Sequence, residues 1–236
     1  MPSALVTGSA KGIGKAIVLA LAQDGYDVAV HYHSSKPEAQ DVARQAAEHG
    51  VTAITLQADV TKPQEAQDLV QLAQASLGSL DVLVNNVGNY QKSSLAELDT
   101  ETWHAMFDSN LHATFYTCQT AVPIMRTQNS GRIINVGYTG AEHLVARPII
   151  APYGIAKTGV ILYSKALAQE NAEHGLTVNV VSPGVMENSV TKPLDEIPMG
   201  RAGQLSELVG AVRYLLSDEA RYVTGVTLEV AGGWNL

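Results

Sequence analysis

The sequence predicts a doubly wound α/β protein with a seven-stranded parallel sheet flanked by helices, and three observations point there. Short runs rich in Val, Ile, Leu and Ala alternate with longer stretches of helical period from residue 4 to residue 230. Most of these short runs are apolar throughout, as strands covered by helices on both faces require. A glycine-rich turn follows the first run and opens directly into a helix.

In order, strands are expected at 4–7, 27–31, 52–57, 82–85, 132–136, 177–181 and 226–230, and helices at 12–23, 36–49, 63–76, 100–126, 151–174 and 205–217. Gly25, Gly50, Gly78, Gly131 and Gly175 fall just after helices, where a left-handed cap costs glycine least. No Pro/Gly/Ser-rich linker or fixed-period repeat divides the 236 residues, so one domain with one continuous core is expected over 1–236. In such a sheet, ligands sit at the carboxyl ends of the strands, near the point where strand order reverses.

A net charge of −8 repels polyanions and argues against nucleic acid or an acidic membrane surface as partner. A small phosphorylated ligand stays possible, because backbone N–H groups hold phosphate locally whatever the global charge. The lone Cys118 has no disulfide partner and reads as a buried small hydrophobe. With no basic leader and no apolar run of membrane-spanning length, the expectation is a soluble cytoplasmic protein.

The first turn reads Thr7-Gly8-Ser9-Ala10-Lys11-Gly12-Ile13-Gly14. Its glycines permit the turn, let backbone approach a pyrophosphate and allow close helix–strand packing, while the helix N-terminus supplies donors. After the second strand, an acidic residue would accept from a ribose 2′-hydroxyl and repel a 2′-phosphate. Here His31-Tyr32-His33-Ser34-Ser35-Lys36 carries no carboxylate. Ser34 and Ser35 donate, and Lys36, Lys11 and protonated His33 add charge, which favours NADP(H). A metal site on His31 and His33 lacks a third local ligand.

Tyr153 and Lys157 lie four apart at the start of the fifth helix and share a face. An ammonium beside the phenol is expected to pull its pKa down towards working pH, making the pair a proton donor to a carbonyl oxygen as hydride arrives.

With both motifs in place, the chain resembles the short-chain dehydrogenase/reductase family over essentially its whole length, including the family's Rossmann fold. Asn85-Asn86-Val87-Gly88 is similar to the family's Asn-Asn-Ala-Gly, and Asp59-Val60 to its adenine-side pair. Asn110 matches the helix Asn that relays protons through water, and Ser182-Pro183-Gly184 the loop facing the nicotinamide. Thr224-Gly225 and Gly232-Gly233 match the family's C-terminal end. The resemblance implies that Lys157 also holds the nicotinamide ribose and that the Val185 backbone orients the carboxamide. It further implies a homotetramer, or a homodimer, built on helices 100–126 and 151–174.

Two departures stand out. The family places a serine 12 to 14 residues before the tyrosine, whereas this chain reads Val136-Gly137-Tyr138-Thr139-Gly140, with Tyr138 at the serine position and Thr139 next. Either hydroxyl can polarise a carbonyl; Tyr138 can equally pack inward. Pteridine reductases also lack the serine and resemble the His-Tyr-His-Ser segment, but carry an acidic residue at that position. The substrate loop is short, Gly184 to Ile197, and an insertion around Glu142–Pro148 narrows the same entrance, with Arg147 either an acidic-substrate contact or a solvated charge. The sequence therefore predicts an oxidoreductase acting on a small ketone, a 3-oxoacyl thioester or a pterin C=N bond. A nucleotide-binding sensor or scaffold without turnover is the alternative.

Overall fold

Residues 1–235 are described by a computed structural model. The seven strands are β1 (Ser3–Val6), β2 (Asp27–Tyr32), β3 (Ala53–Gln57), β4 (Val82–Asn85), β5 (Gly131–Val136), β6 (Leu176–Pro183) and β7 (Thr227–Val230). All pair in parallel in the order β3-β2-β1-β4-β5-β6-β7, so the order reverses between β1 and β4. The helices are α1 (Gly12–Gln23), α2 (Lys36–Ala47), α3 (Pro63–Leu77), α4 (Thr100–Phe107), α5 (Ala113–Gln128), α6 (Ala151–Asn171) and α7 (Leu205–Leu216).

Successive strand side chains point to opposite faces, and this divides the core into two layers. Ala4, Val6, Val28, Val30, Val82 and Val84 pack with α1, α2 and α7. Leu5, Ala29, Leu83, Ile133 and Val178 pack with α3, α5 and α6. Both faces of β1, β2 and β4 are thereby buried, which explains their uninterrupted apolar runs.

Three expected features differ. The long helix over 100–126 is interrupted by a π-turn at Asp108–His112 between α4 and α5, and the helix over 151–174 ends at Asn171 in a 3₁₀ turn, Ala172–His174. Gly131 is not a helix cap. Asn129 takes the left-handed position with φ of 50°, and Gly131 opens β5 where a Cβ would lie 2.5 Å from Met125 Sδ. The other four predicted glycines do have positive φ.

A buried chain of polar groups joins the central strands to the helices that carry the site. Thr117 Oγ1 donates to Asn85 Oδ1 at 2.7 Å, Asn85 Nδ2 to Asn135 Oδ1 at 2.9 Å, and Asn135 Nδ2 to Ser164 Oγ at 2.8 Å. Ser164 Oγ donates on to Val160 O. Asn135→Ala removes the oxygen acceptor of the Asn85 amide, leaving it only the weak Cys118 Sγ at 3.3 Å, and takes away the donor to Ser164 Oγ in a dry interior. We expect it to lower the unfolding free energy by about 2–4 kcal/mol, read as a lower denaturant midpoint with an unchanged slope.

Candidate active site

The reversal of strand order opens a crevice above β1 and β4, and the glycine-rich turn fills its floor. Gly14 packs so closely on the turn that a Cβ there would lie 2.6 Å from Asn86 Nδ2 and 2.9 Å from Ser9 Cα. Asn86 Nδ2 donates to Thr7 O at 3.0 Å and Gly8 O at 3.1 Å, while the Asn86 and Val87 amides donate to Thr7 Oγ1. His31 ties the turn to the neighbouring strands. Its Nδ1 accepts from the Gly8 N–H at 2.9 Å, which leaves Nε2 as the donor to Ala58 O at 3.1 Å. Burial holds its pKa down at about 4, so the imidazole is neutral and structural.

His33, Ser34 and Lys36 are exposed beyond β2 and Ser35 is half-buried, while Lys11 lies across a neighbouring groove from Pro37, Glu38 and Asp41 of α2. One feature of this groove comes from a segment beyond the second strand. Glu38, in the first turn of α2, pairs with Lys11 at 2.8 Å, so the cation expected to meet a 2′-phosphate already has a carboxylate partner. Asp59 accepts from the Thr61 amide and hydroxyl, and Val60 is buried beside it.

On the other side of the reversal, Tyr153, Lys157, Asn110, Gly88, Asn86, Ile13 and Pro183 line one cleft of about 240 Å³. The first two turns of α6 supply the pair, and Lys157 Nζ donates to Val136 O at 2.7 Å, stitching α6 to the end of β5. Burial lowers the Lys157 pKa to about 8. It also raises that of Tyr153, with Tyr138 and Tyr90 adding to the effect. The expected fall of the phenol is therefore not found in the protein alone: Lys157 Nζ lies 5.8 Å from the Tyr153 ring centroid, and desolvation outweighs it. Asn110 lies in the π-turn, a distortion frequent at functional sites. Its Nδ2 donates to Asn89 O and Met106 O, each at 2.9 Å, while its fully buried Oδ1 has no partner among the described residues. A Cβ on Gly88 would overlap that oxygen and lie 3.4 Å from Lys157 Nζ, so the missing side chain brings both groups to the cleft.

The two candidates for the absent serine part company. Thr139 is fully buried, and its hydroxyl is committed to Glu229 Oε2 at 2.9 Å and Trp234 O at 3.2 Å. Tyr138 sits edge-on against Tyr153 with ring centroids 5.3 Å apart, half-buried beside the cleft. Gly137, not Tyr138, lines the 240 Å³ cleft; Tyr138 faces an adjoining apolar cleft of about 380 Å³. Gly184 packs on Ala231, and Val185 is buried with its carbonyl accepting from Gly203 N. Sequence reasoning missed Tyr90 and Asn188. Tyr90 packs edge-on against Tyr153 at 5.1 Å, and Asn188 lies over Gly12 from the substrate loop. The position of Tyr90, two residues beyond the Asn85–Gly88 motif, was the available signal.

These residues fit a dinucleotide: the turn has no room for side chains at its contact points, and Asn110 Oδ1 is an acceptor awaiting a donor. A family model described as enoyl-(acyl carrier protein) reductase matches residues 8–235. A 3-oxoacyl-[acyl-carrier-protein] reductase of Staphylococcus aureus is 39% identical over 240 residues, covering 98% of this chain and 97% of its own. The crystal structure of acetoin dehydrogenase from Salmonella typhimurium superposes with a TM-score of 0.91 at 36% identity, over 99% of this chain and 95% of its own. A blue fluorescent protein from a metagenomic library, solved in complex with NADPH, gives 0.92 at 31% identity, over 100% and 98%.

The buried ammonium has a consequence for stability. Unfolded Lys157 keeps its proton up to about pH 10.5 and the folded residue only to about 8, so between these values the unfolded state binds more protons and this group's contribution rises with pH. Below pH 8 its full penalty, about 3 kcal/mol, is present. Lys157→Met should stabilise the nucleotide-free protein against denaturant at pH 7 by about 1–3 kcal/mol, with the gain shrinking towards pH 10. An equal gain at both pH values would remove the burial argument.

Proposed function

The chain belongs to the short-chain dehydrogenase/reductase family, and from that membership we propose that it is a cytoplasmic, single-domain NADPH-dependent reductase of a small ketone or 3-oxoacyl thioester. The observation that carries this reading is the convergence of Tyr153, Lys157 and the unpartnered Asn110 Oδ1 on one cleft beside the glycine-rich turn. Relatives named as reductases and dehydrogenases align along almost the whole chain and support carbonyl chemistry. Position 138 offers no acidic residue to bind a pterin, which disfavours that substrate.

Bound NADPH supplies the hydride. Gly8, Ser9, Gly12, Ile13 and Gly14 would hold its pyrophosphate, Asp59 and Val60 its adenine, and Asn86, Val87 and Gly88 the wall between them. Lys157 would hold the nicotinamide ribose, and Pro183, Gly184 and the Val185 backbone the ring. His33, Ser34, Ser35 and Lys11 would surround the 2′-phosphate. Burial keeps the Tyr153 phenol protonated, so it donates to the carbonyl oxygen as negative charge develops there. Lys157, whose own proton is loosened by burial, lies along the route of replacement, with Asn110 Oδ1 as acceptor for an intervening water. Tyr138, beside Tyr153, is the hydroxyl that would polarise the carbonyl, since Thr139 is committed to Glu229.

No helix among the described residues is long and apolar enough to cross a membrane. The exposed Phe115 and Leu162 beside an open groove on α5 and α6 support a homo-oligomer, a tetramer or a dimer, assembled through these helices.

Tyr153→Phe is expected to lower kcat by about 10²- to 10⁴-fold in NADPH oxidation with a panel of ketones and a 3-oxoacyl thioester, while the Kd for NADPH stays within about threefold. Wild type that binds NADPH but turns over none of the panel would favour the binding-only reading. At the other end of the cofactor, Glu38→Gln frees Lys11 and removes a charge that opposes a 2′-phosphate. We expect NADPH affinity to rise about three- to tenfold with NADH affinity nearly unchanged, an effect that fades with added salt. Equal change for both cofactors would place the phosphate elsewhere.

A further inference from the structure

The cleft beyond Tyr138 differs in chemistry from the one around Lys157. It holds about 380 Å³ and is walled by apolar side chains, among them Leu95, Ala141, Val145, Ile150 and Ile155. The two clefts meet at the Tyr138–Tyr153 contact, for Gly137 and Tyr153 line one and Tyr138 and Gly154 the other. A carbonyl presented to Tyr153 therefore has this apolar space beside it for its substituent. One charged residue, Arg147, lines it. Arg147 makes no ion pair among the described residues: its guanidinium stacks 5.0 Å from the Trp234 ring centroid and bonds the neutral Asn235 amide oxygen. Its charge is felt at Tyr138, where it counters the effect of burial on the phenol. The loop carrying it holds Leu144 at φ of 56°, a left-handed conformation that a leucine rarely adopts, with the side chain 73% exposed at the mouth.

We propose that this cleft binds the body of an oxo acid: a carbonyl compound whose carbonyl meets Tyr153, whose apolar chain or ring fills the cleft, and whose distant carboxylate is held by Arg147. This rests on the reductase reading and deepens it. A half-buried cation whose partners among the described residues are neutral is matched by a substrate anion, and a planar guanidinium presents paired donors to a carboxylate. The carboxylate is unchanged by the reaction; hydride adds to the carbonyl carbon and the Tyr153 proton to its oxygen.

The test compares para-acetylbenzoate and a series of straight-chain oxo acids, each with its methyl ester, with acetophenone as a neutral reference. Both kcat/KM and the calorimetric Kd on NADP-loaded protein are measured. For the best acid we expect a preference over its ester of about tenfold or more in either readout. That ratio should fall towards one in Arg147→Gln, return in part in Arg147→Lys, and persist in Asn235→Ala, which removes the neutral partner and keeps the charge. A wild-type ratio near one, or a ratio unmoved by Arg147→Gln, overturns the proposal. Turnover of acetophenone and the esters without acid preference would sink this inference and leave the reductase standing. Arg147-dependent binding of acids with no turnover would do the reverse.

Discussion

The seating of α5 and α6 on the sheet is the constraint from which the cleft follows, and the buried Thr117–Asn85–Asn135–Ser164 chain sets it. Apolar packing alone tolerates small slides of a helix over a strand, because dispersion has little directionality. Hydrogen bonds in a dry interior do not, since each displaced partner leaves a polar group unsatisfied. Asn85 and Asn135 are paired across adjacent strands in register, so the polar chain inherits the accuracy of the sheet. Asn110, just before α5, and Tyr153 and Lys157 on α6 are placed through it.

The same burial that fixes the helices sets the proton chemistry. Lys157 has a single neutral acceptor, the Val136 carbonyl, and Tyr153 is enclosed by two further tyrosines. Desolvation disfavours charge on both, lowering the pKa of the amine and raising that of the phenol. A neutral phenol beside a reluctant ammonium is a poor arrangement for stability, the trade expected where a site retains groups the core would otherwise exclude. Asn110 Oδ1 belongs to the same pattern, as a buried acceptor with no donor among the described residues.

Around Tyr138, which stands at the family's serine position, the two loops that border the entrance are tied together. The 140s loop carries Arg147 over Trp234, Trp234 Nε1 donates to Glu196 in the substrate loop at 3.3 Å, and the Gly232 carbonyl accepts from Met199. The C-terminal residues thus link both loops that border the entrance. Tyr138 lines the apolar cleft that the 140s loop borders.

Much was legible in the sequence because it rests on local rules. Alternating apolar runs gave seven strands in parallel, since a strand buried on both faces has no polar side to show. Gly8 to Gly14 marked the crevice, since a turn against a helix N-terminus tolerates few side chains. The four-residue spacing of Tyr153 and Lys157 put them on one face for the same local reason. What needed the tertiary structure were meetings between distant segments. Only the fold brings Glu38 onto Lys11, commits Thr139 to Glu229 some ninety residues away, and lets Met125 occupy the space that makes Gly131 a packing glycine instead of a cap. The phenol's pKa moved opposite to the spacing argument because burial, unlike spacing, is a property of everything packed around a residue.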